Sequence, residues 1–408
     1  MLLQRYLTQP DRVLTSVSFS YQGGRYHGRG VITWNPNEGF HIEAPVQRVG
    51  SRIRSIGFGL GGVIREQDLR SIRMRERNSH GWILAPQVIL RDRLDLIIQD
   101  RLSIPVARII ISEPQLDITR PENTWRGSAL FRLTGNVTLP DRISQELRIN
   151  DQALGQSLSS SGILYESDQG QRVSGRIVER QYLELYYHLP CESWSKTAAF
   201  RWPDAARDSL SMCLGQSVAL LQKNVNRNLR SYTEIRRQRE IQDVRPFTLF
   251  SSNQILERDR FIGIANFLAR DEHGSDACRR IFLQMAEAER QRTWQGRALI
   301  LATIMEATLR TLEGHPFRAG DRSFVVREAF NRFQNRYFAE AWADTCDRAY
   351  QTYIRLRNRN AHPDWLYEET GALSDEQRSE TYNDMVFLSR FYGYMILTIS
   401  GFPDITPP

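Results

Sequence analysis

Between Val13 and about His188 the apolar positions fall in short runs that alternate with polar ones and close on turn residues, as in "VLTSVSFSYQGG", "GRGVITWNPNEG", "ARIIISEP" and "QYLELYYHL". Period-two alternation rich in β-branched and aromatic residues, punctuated by Gly, Asn, Asp and Pro, predicts antiparallel strands in a sandwich or open barrel. Near Pro203 the spacing of apolar residues changes to three and four. The stretch "DAARDSLSMCLGQSVALLQKNVNRNLRSYTEIRRQRE", from Asp204 to Glu240, fits a helical pattern, as do the later segments ending in "SETYNDMVFLSRFYGYMILTISG". The chain therefore reads as α+β: a β-rich N-terminal domain over residues 1–200, a helical connecting segment over 201–285 and an all-α bundle over 286–408.

With 41% hydrophobic and 25% charged residues in 408, the composition is that of a folded globular protein of two or three domains. The formal charge of +7 leans toward a polyanionic partner. Lys196 and Lys223 are the only lysines, so nearly all positive charge is guanidinium, which grips phosphate bidentately and stacks on bases. Arginine-favouring codon usage explains the same bias, so charge alone names no partner. Cys191, Cys213, Cys278 and Cys346 are scattered without zinc-ligand spacing, which argues against structural zinc and a disulfide framework. The start "MLLQRYLTQPDR" lacks the features of a secretory signal, and the apolar runs carry Glu306 and Arg390. The expectation is a cytoplasmic protein with no cofactor, no metal and no membrane association.

Two charges stand where apolar residues are due. Cys346, Ala349, Tyr350 and Tyr353 mark a helical stripe whose continuation by four lands on Arg357. Burying a guanidinium costs several kcal/mol unless it is paired or borders a wet cleft, so Arg357 needs a carboxylate or a groove. In "RALILATIMEATLRTL", Leu299, Ala302, Glu306 and Leu309 share one face and make Glu306 a lone acid on an apolar stripe. We expect Glu306 to orient Arg357 across a helix interface.

Arg357 opens "RNRNAH", in which Asn358 and His362 are four residues apart and share a helix face. Pro363 disfavours αR for His362 and predicts a helix end there. RNA is cut without metal when its own 2′-hydroxyl attacks the adjacent phosphate. That reaction needs a proton-transfer group, a fixed cation for the phosphorane and a polar side chain to place the phosphate. Histidine, arginine and asparagine fill these roles, and no carboxylate cluster of a two-metal nuclease accompanies them. The spacing alone is weak, since roughly one such match arises by chance. "RERNSH" (Arg75, His80) and "RTLEGH" (Arg310, His315) share it and read as structural or surface residues.

"RNRNAH" resembles the Arg-polar-x-x-x-His signature of HEPN domains. "ALILATIMEATL" is similar to the acid-bearing apolar helix that precedes that signature, and "YNDMVFLSRFYGYMILTISG" to the helix that follows it. "DSLSMCLGQSVALLQ" and "GRGVITWNPNEGFHIE" resemble the pre-HEPN segment and the opening strands of the ApeA-type branch. The resemblance implies that the bundle over 286–408 is a HEPN domain and that the chain is a metal-independent endoribonuclease of bacterial anti-phage defence. It implies a homodimer in which two motifs form one cleft, RNA substrates that include tRNA, and a trigger recognised by the β-rich domain or another protein. His362 would be the acid/base residue, Arg357 the phosphorane stabiliser, Asn358 the positioning residue and Glu306 their support.

Two other readings stay open: a catalytically silent HEPN dimerisation or RNA-binding module with a β-rich recognition domain, and a β-sandwich binding protein with an unrelated helical tail. "GFGLGG" (57–62) is not followed by a helical pattern and reads as a hairpin loop rather than a phosphate cradle. "NVNRNLRSYTEIRRQRE" reads as a solvated helix face, and Trp34, Trp82, Trp125, Trp194 and Trp202 as sheet core.

Overall fold

The computed structural model describes residues 11–21, 24–35, 39–51, 69–76, 82–88, 101–106, 108–114, 124–133, 161–167, 169–178, 182–215, 218–227, 230–236, 258–270, 272–315, 324–361 and 375–402. The expected α+β class holds, with, among the described residues, eleven antiparallel strands first, then one helix and a two-strand hairpin, and the remaining helices after. The first strands are β1 (Asp11–Tyr21), β2 (Gly24–Asn35), β3 (Gly39–Ser51), β4 (Leu69–Glu76), β5 (Trp82–Val88), β6 (Arg101–Val106) and β7 (Arg108–Pro114). They are followed by β8 (Thr124–Arg132), β9 (Ser161–Glu166), β10 (Arg172–Val178), β11 (Tyr182–Pro190), β12 (Ala219–Arg227) and β13 (Arg230–Arg236). All join one antiparallel sheet in the order β6-β3-β2-β1-β4-β5-β7-β13-β12-β8-β11-β10-β9.

One residue separates β6 from β7, yet β6 pairs with β3 while β7 pairs with β5 and β13. A continuous run of chain thus joins both ends of the first seven strands and rolls that part of the sheet into an open barrel. Its interior is packed by Leu14, Val17, Ile32, Trp34, Phe40, Ile42, Ile72, Met74 and Ile111. The alternation in the sequence is this inside-outside pattern: Val13 and Val31 face out while Leu14 and Ile32 are fully buried.

The remaining strands serve a different core. Trp125, Phe131, Leu183, Leu185 and Tyr187 pack with the helices rather than with the barrel. Helix α1 (Lys196–Leu214) lies against this part of the sheet, its N-terminus capped by the Ser195 hydroxyl and its Trp202 ring 4.7 Å from Tyr187. Gly215 takes a left-handed conformation, φ 60°, and ends the helix. The expected helix over 204–240 therefore stops at Leu214, and the hairpin β12–β13 replaces its second half. The hairpin inserts between β7 and β8, with Leu221 and Ile235 on the barrel core and Leu220 and Val225 on the helical one. Burial on both faces removes the period-two signal, which is why the pattern resembled a helix. Residues 224–227 and 230–236 of the arginine-rich run are strand, not a solvated helix face, and the rest of the run lies outside the described residues.

Helices α2 (Arg258–Arg270), α3 (Glu272–Arg290), α4 (Trp294–Leu312), α5 (Val326–Tyr337), α6 (Ala343–Ala361) and α7 (Asp375–Ile399) follow. α3, α4, α6 and α7 pack in a ring, each on the next and α7 back on α3, as a four-helix bundle. Cross-links through α2 tie the helices to the sheet: Gln171, just before β10, and Asn266 of α2 exchange two amide hydrogen bonds of 2.9 Å, and Trp202 Nε1 of α1 donates to the same Asn266 oxygen. Arg279 bridges α3 to Asp208 of α1 at 2.6 Å. Trp34 and Trp125 are buried strand residues, as expected, whereas the buried Trp194 precedes α1 and the buried Trp202 lies within it, so these two are not sheet residues. The four cysteines are free thiols, and among the described residues no helix is long and apolar enough to cross a membrane. "GFGLGG" and the Trp82 side chain lie outside the described residues.

Candidate functional site

The α4–α6 interface brings the two misplaced charges together. Along α6, Cys346, Ala349, Tyr353 and Leu356 are fully buried at spacings of three and four, which fixes the face turned to the bundle. Arg357 follows Leu356 and lies on the flank of that stripe, with its side chain 49% exposed. α4 turns Ala298, Leu301, Ala302, Ile304, Met305 and Leu309 inward. Leu299, expected on that face, is 49% exposed, so the true stripe is rotated and Glu306 stands at its border, 19% exposed. Both charges sit where packed core meets solvent.

Arg357 Nη1 lies 3.3 Å from Glu306 Oε2 and donates to the Tyr353 hydroxyl at 2.7 Å. Glu306 Oε1 accepts from Arg310 Nε at 3.1 Å, one turn along α4. Arg310 is almost fully buried, with its guanidinium carbon 4.3 Å from the Phe324 ring centroid. One carboxylate thus serves two guanidiniums. The inner one is locked by packing, and the outer one is about half exposed to solvent. Burial pushes the Tyr353 phenol above its ordinary range; Arg357 opposes this and Glu306 adds to it, and the net shift is upward. Tyr353 therefore stays a neutral phenol whose oxygen fixes Arg357. The Cys346 thiol, pushed up to about 12 by burial and Asp347, is protonated at neutral pH and offers no nucleophile.

Of the residues singled out in the sequence, Glu306 and Arg357 are in contact, and Asn358 is exposed beside Arg357 at the same end of α6. His362 lies outside the described residues, directly after Ala361, the last residue of α6. Arg310 and Tyr353 also contact the pair, although nothing in the apolar pattern assigns them to it. The i,i+4 spacing of Glu306 and Arg310 was the available signal. Of the two other matches to the spacing, Arg75 is an exposed strand residue of β4 while His80 lies outside the described residues, and Arg310 is packed against Phe324 with His315 edge-on to the same ring.

The arrangement presents a fixed, half-exposed guanidinium next to an exposed amide at a helix end. That pair can bind and orient a phosphodiester and meet charge developing on its oxygens. Compared with protein-family models, curated proteins and solved structures, the chain gives no match to any of them.

Proposed function

We propose that the chain is a metal-independent endoribonuclease of the HEPN type, acting as a homodimer whose two motifs line one cleft. The observation that supports it best is Arg357, held by Glu306 and Tyr353 yet half open to solvent, with Asn358 beside it and His362 next in sequence to the helix end. The RNA 2′-oxygen attacks phosphorus and forms the P–O2′ bond while the P–O5′ bond breaks. The proton leaves the 2′-hydroxyl to a base, and another reaches O5′, giving a 2′,3′-cyclic phosphate and a 5′-hydroxyl. In this reading His362 moves the protons, Arg357 stabilises the phosphorane oxygens and Asn358 places the phosphate. tRNA as substrate, the β-rich domain as recogniser of a trigger, and a role in anti-phage defence rest on the family resemblance alone.

The test is expression of the wild type and His362→Ala in parallel, with mapping of cellular RNA ends. The wild type should yield fragments ending in 2′,3′-cyclic phosphate that the variant does not. Equal fragmentation by both would remove His362 from the mechanism, and no cutting by the wild type under phage challenge would favour a silent module.

A further inference from the structure

α6 and α7 leave between them a solvent-open cleft of ≈ 580 Å³ that contains none of the residues proposed for cleavage. Arg348 precedes Arg357 by nine residues on α6, which puts them about 180° apart around the helix and about 13 Å apart along it. Arg348, Arg390, Asp344, Asn383, Phe387 and Tyr394 are among its lining residues. Arg348 and Arg390 are both exposed, and neither is in an ion pair among the described residues. Elsewhere on this face arginines are neutralised: Arg355, at the Asp384 end of the same helix pair, holds that carboxylate at 2.7 Å. The cleft thus carries two guanidiniums and one carboxylate, Asp344, on a partly aromatic floor.

The geometry points to a nucleoside phosphate as the ligand of this cleft. Its volume falls within the range of roughly 300–1,000 Å³ typical of small-molecule sites. Arg348, whose guanidinium carbon is 4.0 Å from the Phe387 ring centroid, extends an aromatic platform on which a base stacks. Arg390 supplies charge-assisted hydrogen bonds to phosphate. The Asp344 carboxylate accepts from ribose hydroxyls, and the Asn383 amide offers both a donor and an acceptor to a base edge. A plain phosphate would leave the platform unused, and an apolar ligand would leave two cations unanswered. The nucleotide is either free or one residue of an RNA strand, since both present the same base, ribose and phosphate.

Full-length His362→Ala protein, titrated calorimetrically with ADP, dADP and a single-stranded RNA hexamer, tests the site and separates the two sources. We expect saturable binding that Arg390→Glu weakens by about tenfold or more, and an ADP preference over dADP that Asp344→Ala removes. ADP binding assigns a free nucleotide, and hexamer binding without ADP binding assigns a strand. Binding by neither ligand, or binding undiminished in Arg390→Glu, overturns the inference. Both exchanges are at solvent-facing residues, and an unchanged melting curve confirms the fold. The ADP arm involves no turnover, so its failure is distinct from a failure of the cleavage reading.

Discussion

Asp204, Lys223, Glu234 and Arg236 form one polar cluster of this molecule, and Glu306, Arg310, Tyr353 and Arg357 form another; the two differ in what they leave over. In the first, Lys223 Nζ reaches Asp204 at 2.7 Å and Glu234 at 3.2 Å, while Arg236 reaches each of the same two acids at 2.7 Å. These two cations and two anions answer one another where α1 meets β12 and β13, all under a quarter exposed, and a further cation in range, Arg207 at 3.8 Å from Asp204, is itself held by Asp208 at 2.6 Å. In the second, one carboxylate faces two guanidiniums, and the unmatched charge falls on Arg357, 49% exposed. A closed cluster fastens a helix to a sheet, whereas an open one has positive charge to offer a ligand.

This contrast predicts opposite effects of mutation. Arg357→Ala should lower RNA cleavage by roughly 10²–10³-fold, the scale for losing one preorganised donor to a developing oxyanion. Its melting curve should move by less than about 1 kcal/mol, because a half-exposed ion pair contributes little. Asp204→Ala should do the reverse, destabilising the fold by about 3 kcal/mol in a urea titration, with cleavage by the folded fraction within about twofold of wild type. If Asp204→Ala abolished cleavage while the protein stayed folded, the closed cluster would not be merely structural.

The same cluster sets an acid limit. Burial pushes the Asp204 carboxyl upward, but Lys223 and Arg236 together outweigh it and hold its pKa at about 2, below the ordinary 3.8. Glu234 is lowered by the same two cations against the same burial. A depressed folded-state pKa means that the unfolded chain binds the proton first. The stabilisation is therefore complete above the unfolded value near 4 and is lost as pH falls toward about 2. Asp204 alone accounts for about 2 kcal/mol of this. Stability measured from pH 5 to pH 2 should fall less steeply in Asp204→Asn than in the wild type, and parallel curves would discount the pair as its source.

The open cluster was largely legible in the sequence and the closed one was not. Glu306 and Arg357 betrayed themselves because each interrupts an apolar helical stripe, and two such defects on neighbouring helices pair. The apolar pattern places Leu299 inward because α4 is apolar on most sides, so several rotations satisfy the same pattern and only packing selects one. The hairpin that carries Lys223, Glu234 and Arg236 was hidden by its burial on both faces, although Gly215 followed by Gln216 and Ser217 marked a helix stop. The barrel closure depends on one chain run pairing at two distant places in the sheet, which local periodicity does not encode.

Glu306→Gln separates anchoring from charge at the open cluster. The amide still accepts a hydrogen bond from Arg310 or Arg357, but neither guanidinium then has its carboxylate. We expect about 1–2 kcal/mol of destabilisation, from the nearly buried Arg310, and a roughly tenfold fall in cleavage rate from a less firmly placed Arg357. An unchanged rate with lowered stability would make Glu306 a partner of Arg310 alone.

Tyr353→Phe is the mildest probe of the site. The ring is fully buried against the bundle, and phenylalanine keeps that packing. Only the oxygen that accepts from Arg357 at 2.7 Å is removed. Because that donor reaches solvent, its lost bond is replaced by water, and stability should change by less than about 1 kcal/mol. The guanidinium meanwhile loses one of its two anchors and samples orientations in which it does not face a phosphate. Cleavage should slow by about two- to fivefold through kcat rather than KM, if Arg357 acts mainly on the phosphorane. A rise in KM at constant kcat would instead assign Arg357 to ground-state phosphate binding, which makes this substitution the one that distinguishes a catalytic guanidinium from a docking one.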